Sequence, residues 1–229
     1  DESEDPNLRL KLYNELAMNA NLVGIYSQAA TYCLESNRLI DFADDSAAIG
    51  NSYLIQGHVG NNMKRCEESL DKYEKAIEVF GLLNDSIGLS YAYSGKGISY
   101  YDLGNFDMAI RTYLKADSLW SAGDAELHAD LYNNIGAVLT DQEKFDQARW
   151  YYRKALAIYE EEDWASSRSM MHYNLGDLHT LEGNYFEAEI EFFKSLRIGY
   201  DIESLEEIKW AYFGLYELES ALGSTEKAL

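Results

Sequence analysis

The sequence predicts an all-α protein built from stacked pairs of antiparallel helices. The first observation is a repeat, because Gly57, Gly97, Gly136 and Gly176 lie 40, 39 and 40 residues apart. A period in this range is typical of arrays in which one supersecondary unit is stacked on the next. The second observation is that Pro6 is the only proline in 229 residues, so no interior proline interrupts long helices.

We call the position of these four glycines the anchor of the repeat; it is occupied by Ala17 in the first repeat and by Tyr216 in the sixth. Similar residues recur at fixed distances from the anchor. Four residues before the anchor stand Tyr13, Tyr53, Tyr93, Tyr132, His172 and Tyr212. Twelve residues after it stand Ala29, Ser69, Ala109, Ala148, Ala188 and Ala228. Sixteen residues after it stand Cys33, Tyr73, Tyr113, Tyr152 and Phe192. Small residues let two helices approach closely, and we expect the aromatic rings to fill the space beside them.

This order of aromatic, aliphatic, glycine, alanine, aromatic and small residues resembles the tetratricopeptide repeat, most clearly over residues 93–116. The resemblance implies a right-handed superhelical solenoid of antiparallel helix pairs. Each unit here has about 40 residues and no closing proline, whereas the usual repeat has roughly 34. In this length it is similar to the repeats of kinesin light chains and of bacterial peptide-sensing regulators.

These recurring positions divide the chain into six units, which we expect to form one continuous array covering residues 1–229. The expected units are residues 10–46, 50–86, 90–125, 129–165, 169–205 and 209–229, the last of them truncated. Within a unit, Gly24, Gly104 and Gly183 mark the turn, where a glycine with positive φ ends the first helix. The second helices are expected to begin at Tyr26, Cys66, Phe106, Phe145 and Tyr185. Asp85 is placed to cap a following first helix.

The charge of the chain restricts its partners. With 40 acidic and 19 basic residues, the net charge is −21. This balance argues against nucleic acid, because a phosphate backbone is bound by Lys and Arg. Direct contact with an anionic membrane surface is disfavoured for the same reason. The long-range field favours partners that carry positive charge.

The sequence contains no arrangement typical of a catalytic or metal site. The four histidines are His58, His128, His172 and His179, and no two of them stand four residues apart as a helical zinc site requires. Cys33 and Cys66 are interpreted as small core residues. We therefore expect a protein that is not an enzyme and that needs no metal or cofactor.

In the family that the chain resembles, the first helix of each unit lines a concave binding face. Carried over position by position, this implies a face that contains Tyr101, Asp102, Asn133, Asn134, Asp141, Tyr173, Asn174, Asp177 and Trp210. Asparagine offers a donor and an acceptor to a peptide backbone. The carboxylates and aromatic rings suit a peptide that carries Lys or Arg.

Two functions from different classes follow from this interpretation. In the first, the chain is a non-catalytic adaptor that binds proteins or peptides on the concave face. In the second, it is the ligand-sensing region of a larger bacterial signal-transduction or transcription-regulatory protein, either cytoplasmic or extracytoplasmic. End-to-end self-association is a further expectation, since the ends of uncapped arrays expose apolar surface.

Overall fold

A computed structural model of the protein describes residues 5–119 and 124–226. This part of the chain contains eleven α-helices, one short 3₁₀ helix at Ile40–Phe42 and no strand. The helices are α1 Pro6–Leu22, α2 Tyr26–Leu39, α3 Ser46–Asn62, α4 Cys66–Leu83, α5 Ser86–Asp102, α6 Phe106–Leu119, α7 Ala125–Asp141, α8 Phe145–Glu161, α9 Ala165–Leu181, α10 Tyr185–Asp201 and α11 Leu205–Glu226. The predicted all-α class is confirmed.

Consecutive helices form pairs joined by short turns, and each pair packs along its length. The first helices of the pairs begin at Pro6, Ser46, Ser86, Ala125, Ala165 and Leu205, which are 39 or 40 residues apart. The second helices α2, α4, α6, α8 and α10 begin at the five residues that the sequence predicts.

The chain divides into two compact units, residues 1–124 (unit 1) and residues 125–229 (unit 2), which are described separately below. The single array with its six unit boundaries stays a prediction. The last helix, α11, continues through Gly223 to Glu226, where the other repeats would place a turn. Ala228, the small residue expected in the sixth repeat, lies outside the described residues.

The anchor glycines make room for an aromatic ring of the second helix. A Cβ atom added to Gly57 would lie 2.6 Å from the ring of Tyr73, which is fully buried. The same ring also packs on the backbone of Gly95, in the first helix of the next pair. Equivalent contacts join Gly97 to Tyr113, Gly136 to Tyr152, and Gly176 and Gly214 to Phe192. Glycine is required at these positions because a side chain would occupy the volume of the ring.

The predicted turns are confirmed by their backbone angles. Gly24, Gly104 and Gly183 have φ of +77°, +73° and +78°. Asp85 caps α5 by accepting a hydrogen bond from the Gly88 N–H at 2.9 Å. Five other turns use residues other than glycine in the left-handed region, namely Lys64, Asn84, Glu143, Asp163 and Glu203.

Both cysteines are buried in unit 1 and carry free thiols. Cys33 packs among small and aliphatic residues that include Ala29 and Val59. Burial raises the pKa of the Cys33 thiol to about 11, so this thiol stays protonated at neutral pH. The interpretation of the two cysteines as small core residues is consistent with these surroundings.

Candidate functional site

Seven of the nine predicted binding residues belong to unit 2, where they lie on the first helices α7, α9 and α11. Asn134 and Asp141 are seven residues apart and Tyr173 and Asp177 are four apart, so each of these pairs shares one side of its helix. We call this surface the first-helix face of unit 2. It comprises Asn133, Asn134 and Asp141 on α7, Tyr173, Asn174 and Asp177 on α9, and Trp210 and Glu217 on α11.

Two of the predicted asparagines are hydrogen-bonded to each other. The Nδ2 atom of Asn174 donates to the Oδ1 atom of Asn133 at 2.9 Å, which links α9 to α7. Both side chains are half-buried, and Asn134 beside them is half-buried as well. The bond does not involve the amide oxygen of Asn174 or the amide nitrogen of Asn133. The pair therefore presents one acceptor and one donor group that are not used between the two helices.

A cavity of about 450 Å³ lies between α9 and α11. It is lined by Ser166, Ser167, Ser169, Met170, Tyr173, Asn174, Glu206, Glu207 and Trp210. The rings of Tyr173 and Trp210 meet edge to face with centroids 6.1 Å apart, and Tyr173 also packs on Phe192 at 5.7 Å. The structure thus brings three predicted residues, Tyr173, Asn174 and Trp210, to one cavity.

Sequence reasoning missed the serines and glutamates at the edge of this cavity. Glu207 accepts a hydrogen bond from the Ser204 hydroxyl, and this bond, together with one from Ser166, lowers the pKa of Glu207. Glu207 therefore stays ionised well below neutral pH. The run of serines between residues 166 and 169 and the two glutamates in the first turn of α11 were the available signals.

Three carboxylates on the first-helix face of unit 2 act on one another. Burial raises the pKa of Asp177, and the negative charges of Glu217 and Asp141 raise it further. These carboxylates come from α9, α11 and α7, so all three helices contribute negative charge to one surface. Ionised Asp177 is destabilised by this environment.

The two remaining predicted residues, Tyr101 and Asp102, lie at the end of α5 in unit 1. Asp102 forms an ion pair of 2.9 Å with Lys64 and accepts a weak hydrogen bond from the thiol of Cys66 at 3.8 Å. Tyr101 packs against Phe106 with ring centroids 5.9 Å apart. The charge of Asp102 is therefore balanced inside unit 1, in contrast to that of Asp177.

Each of the four histidines has a polar neighbour in its own unit, and His179 Nδ1 lies 3.2 Å from a carboxylate oxygen of Glu182. His58 lies 3.1 Å from the Tyr73 hydroxyl, and burial lowers the pKa of His58 to about 4. His128 is bonded to Tyr132 at 2.7 Å and His172 to Glu191 at 2.6 Å. Across the described residues, no group of three or more His, Cys, Asp or Glu side chains is arranged to hold a metal ion. In the same part of the chain, no helix combines the length and apolar character needed to cross a membrane.

Known proteins share both the repeat and the fold. The family model "Tetratricopeptide repeat" matches residues 88–161. The uncharacterized protein ycf37 of Guillardia theta is 29% identical in an alignment of 115 residues that covers 47% of this chain and 60% of that protein. Aspartyl phosphate phosphatase F from Bacillus subtilis superposes with a TM-score of 0.81 at 18% identity, over 96% of this chain and 59% of that one. A Rap protein complexed with competence and sporulation factor superposes with a TM-score of 0.81 at 15% identity, over 99% of this chain and 66% of that one.

The likeness to these two solved structures concerns the fold, since sequence identity is low in both. The family match is more specific, because it covers α6, α7, α8 and almost all of α5. Helix pairs with the same spacing and the same glycine–aromatic packing continue on both sides of the matched segment. Residues 88–161 therefore match the tetratricopeptide-repeat family, and the helix pairs on both sides share their spacing and packing.

Proposed function

We propose that the chain is a scaffold that binds a protein segment or peptide on the first-helix face of unit 2, without catalysing a reaction itself. The observation that carries this proposal is the cavity of about 450 Å³ between α9 and α11. Its volume lies in the range of ligand-binding pockets, and aromatic rings stand beside carboxylates at its edge. Tetratricopeptide repeats generally serve as surfaces for protein interaction.

The charges favour a ligand that carries Lys or Arg. The raised pKa of Asp177 reflects burial and the repulsion from Glu217 and Asp141. A cationic side chain placed beside these groups would reduce the repulsion and hold all three carboxylates in the ionised form. Asp102 is expected to contribute less, because Lys64 already balances its charge.

The aromatic rings favour the same kind of side chain. Trp210 is 47% exposed although it packs on Tyr173, so part of its side chain is accessible to a ligand. Lys and Arg place their aliphatic stems along apolar surface while their charged ends reach polar groups. A cation over an indole or phenol ring adds a further attraction.

The amide pair supplies contacts to the backbone of the ligand. The oxygen of Asn174 accepts and the nitrogen of Asn133 donates, which suits the alternating N–H and C=O groups of an extended chain. Asn134 is proposed to contribute to binding on this face as well, whereas Tyr101 stays a separate proposal for unit 1. The similarity in fold to a Rap protein that is complexed with competence and sporulation factor supports a binding role for such an array.

The test is a selection from a random peptide library displayed on phage, followed by titration of the enriched peptides. We expect Lys or Arg in the enriched sequences and a loss of affinity of about tenfold or more in Trp210→Ala, which is the scale of a binding hot spot. Leu205→Ala is the matched control, since Leu205 is an exposed apolar residue of the same helix that does not line the cavity. Enriched peptides without basic residues, or binding that is unchanged in Trp210→Ala, would contradict the proposal.

A second function places the same surface in a larger bacterial signalling or transcription-regulatory protein, as the region that senses the ligand. The similarity in fold to the Rap protein complex supports this alternative too. Reading the coding sequence on both sides of residues 1–229 separates the two functions. A kinase or DNA-binding module in the same chain indicates a sensor, whereas further repeats alone indicate an adaptor.

A further inference from the structure

The outer side of α10 in unit 2 is apolar although it is exposed. This helix buries Ala188, Phe192, Ser195, Leu196 and Gly199. On the opposite side lie three large apolar side chains, Phe186, Ile190 and Phe193, with exposures of 70%, 40% and 51%. We call these three residues the α10 seam.

The repeat itself does not require apolar residues at these positions. The equivalent positions are Asp146, Trp150 and Arg153 in α8, and Glu67, Asp71 and Glu74 in α4. In α6 they are Asp107, Arg111 and Leu114, and in α2 they are Ser27, Thr31 and Leu34. Among the second helices, only α10 is apolar at all three. Contiguous exposed apolar surface of this kind marks interaction sites.

The spacing of the seam matches a helix that packs against another helix. Phe186, Ile190 and Phe193 are four and then three residues apart, which is the alternation of the core positions of a coiled coil. Such a seam is covered by a helix that carries the same spacing. A second copy of α10 satisfies this condition.

The charges beside the seam specify how two copies would meet. Glu187 and Lys194 lie seven residues apart on one flank of the seam, and both are exposed. When two identical helices pack in opposite directions, this flank meets itself with its order reversed, so Glu187 of each copy faces Lys194 of the other. In a parallel arrangement this flank would instead face the opposite flank of the other copy, where Lys194 would meet Glu189 but Glu187 would meet no basic residue, so only the antiparallel arrangement pairs both charges of this flank. Lys194 also pairs with Glu191 of its own helix at 2.7 Å and keeps 49% of its side chain exposed for a second carboxylate.

From this complementarity we propose that the α10 seam is a self-association surface, on which a second copy of the chain packs its own α10 in the antiparallel direction. The interface is isologous, with each copy contributing the same residues. No residue of α10 lines the cavity between α9 and α11, so the proposed self-association does not depend on the proposed peptide function.

Sedimentation equilibrium of the 229-residue chain tests the proposal over a concentration series into the millimolar range. Salt of about 0.15 M screens the repulsion between chains of net charge −21. We expect a monomer–dimer equilibrium and a dissociation constant that rises about tenfold or more in the double variant Phe186→Gln, Phe193→Gln. Leu205→Gln is the control, because Leu205 is 83% exposed and lies outside α10. A chain that stays monomeric at every concentration, or a dimer that the double variant does not weaken, overturns the proposal.

A charge exchange tests the antiparallel direction. Glu187→Lys should weaken the dimer, and adding Lys194→Glu to the same chain should restore it. Glu189→Lys makes the same change in net charge on the other flank and should not weaken association. Circular dichroism checks that every variant keeps its helix content, as expected for substitutions of exposed side chains. If Glu187→Lys has no more effect than Glu189→Lys, the antiparallel pairing is wrong.

Discussion

Units 1 and 2 use asparagines on their first helices in different ways. In unit 1 the Asn61 side chain is buried, donates to the Gly95 carbonyl at 3.0 Å and to the Tyr73 hydroxyl at 3.2 Å, and accepts from Ser99 at 2.7 Å. In unit 2 the Asn174 side chain is half-buried and donates to Asn133 at 2.9 Å. One amide is thus built into the packing between helix pairs, while the other lies at the edge of a cavity.

The carboxylates of the two units differ in a similar way, since one is paired with a cation and the other adds to a group of negative charges. Asp102 and Asp141 both stand five residues after their anchor glycines, yet Asp102 is balanced by Lys64, whereas Asp141 helps to raise the pKa of Asp177. The repeat position determines where a side chain lies on its helix. Its neighbours from other helices determine whether it stabilises the fold or presents charge on the surface.

The largest expected effect is the loss of stability when an anchor glycine is replaced. It should be equal in the two units, because both depend on the contact between glycine and an aromatic ring. Gly57→Leu in unit 1 and Gly136→Leu in unit 2 should each lower the free energy of unfolding by about 1–3 kcal/mol, since each side chain would enter the volume of a buried tyrosine ring. Chemical denaturation measures this loss. Gly81→Leu is the control, because a Cβ atom at Gly81 meets nothing within 4 Å. A loss in only one unit would show that the packing rule is not shared.

The second effect, the loss of stability when a first-helix asparagine is replaced by alanine, should differ between the two units. Asn61→Ala leaves the buried Ser99 hydroxyl and the Gly95 carbonyl without their partner and should cost about 1–3 kcal/mol. Asn174→Ala should cost less than about 0.5 kcal/mol, because its hydrogen bond is only half-buried. Denaturation of both variants, with peptide titration of Asn174→Ala, measures the two roles. Equal losses of stability would remove the distinction between the two amides.

A smaller effect of opposite sign is expected at Asp177. Its pKa is raised in the folded state, so ionised Asp177 opposes folding above that pKa, and the cost disappears as the pH falls toward the unfolded value. Asp177→Asn should therefore raise the melting temperature at pH 7 by a few degrees, and the gain should vanish in acid. Thermal melts at several pH values measure this difference. A variant that is less stable than the parent at pH 7 would contradict the repulsion among the three carboxylates.

The smallest effect is expected at the ion pair of unit 1. Lys64 is 75% exposed, so solvent screens its attraction to Asp102. Lys64→Gln should cost about 0.2–1 kcal/mol at low salt and almost nothing in 1 M salt. Denaturation at two salt concentrations measures the difference. A loss that persists in 1 M salt would mean that Lys64 contributes packing rather than charge.

The sequence was sufficient to predict the all-α class and the first residue of the second helix in each described pair. These features depend on local spacing, since the anchor glycine and the ring sixteen residues later must meet within one pair. The turns at Gly24, Gly104 and Gly183 follow from the conformational freedom of glycine. The turns at Lys64 and Glu143 could not be predicted in this way, because side chains other than glycine rarely adopt positive φ.

The candidate site was predicted only in part. The repeat register brought Tyr173, Asn174 and Trp210 to one cavity. It did not reveal the bond between Asn133 and Asn174, because that bond joins residues 41 positions apart on different first helices. Side-chain partners of this kind depend on the distance and tilt between helices, which a periodic pattern does not specify.

The placement of the aromatic rings has a consequence for shortening or recombining this chain. The Phe192 ring packs against Gly176 in its own pair and against Gly214 in α11, and Tyr73 likewise lies between Gly57 and Gly95. A cut after α10 would therefore uncover the side of the Phe192 ring that packs on Gly214, whereas a cut after α9 would remove the ring that covers Gly176. A module that keeps such a ring packed on both sides accordingly contains a second helix together with the first helices before and after it, which is one helix more than the repeat in the sequence.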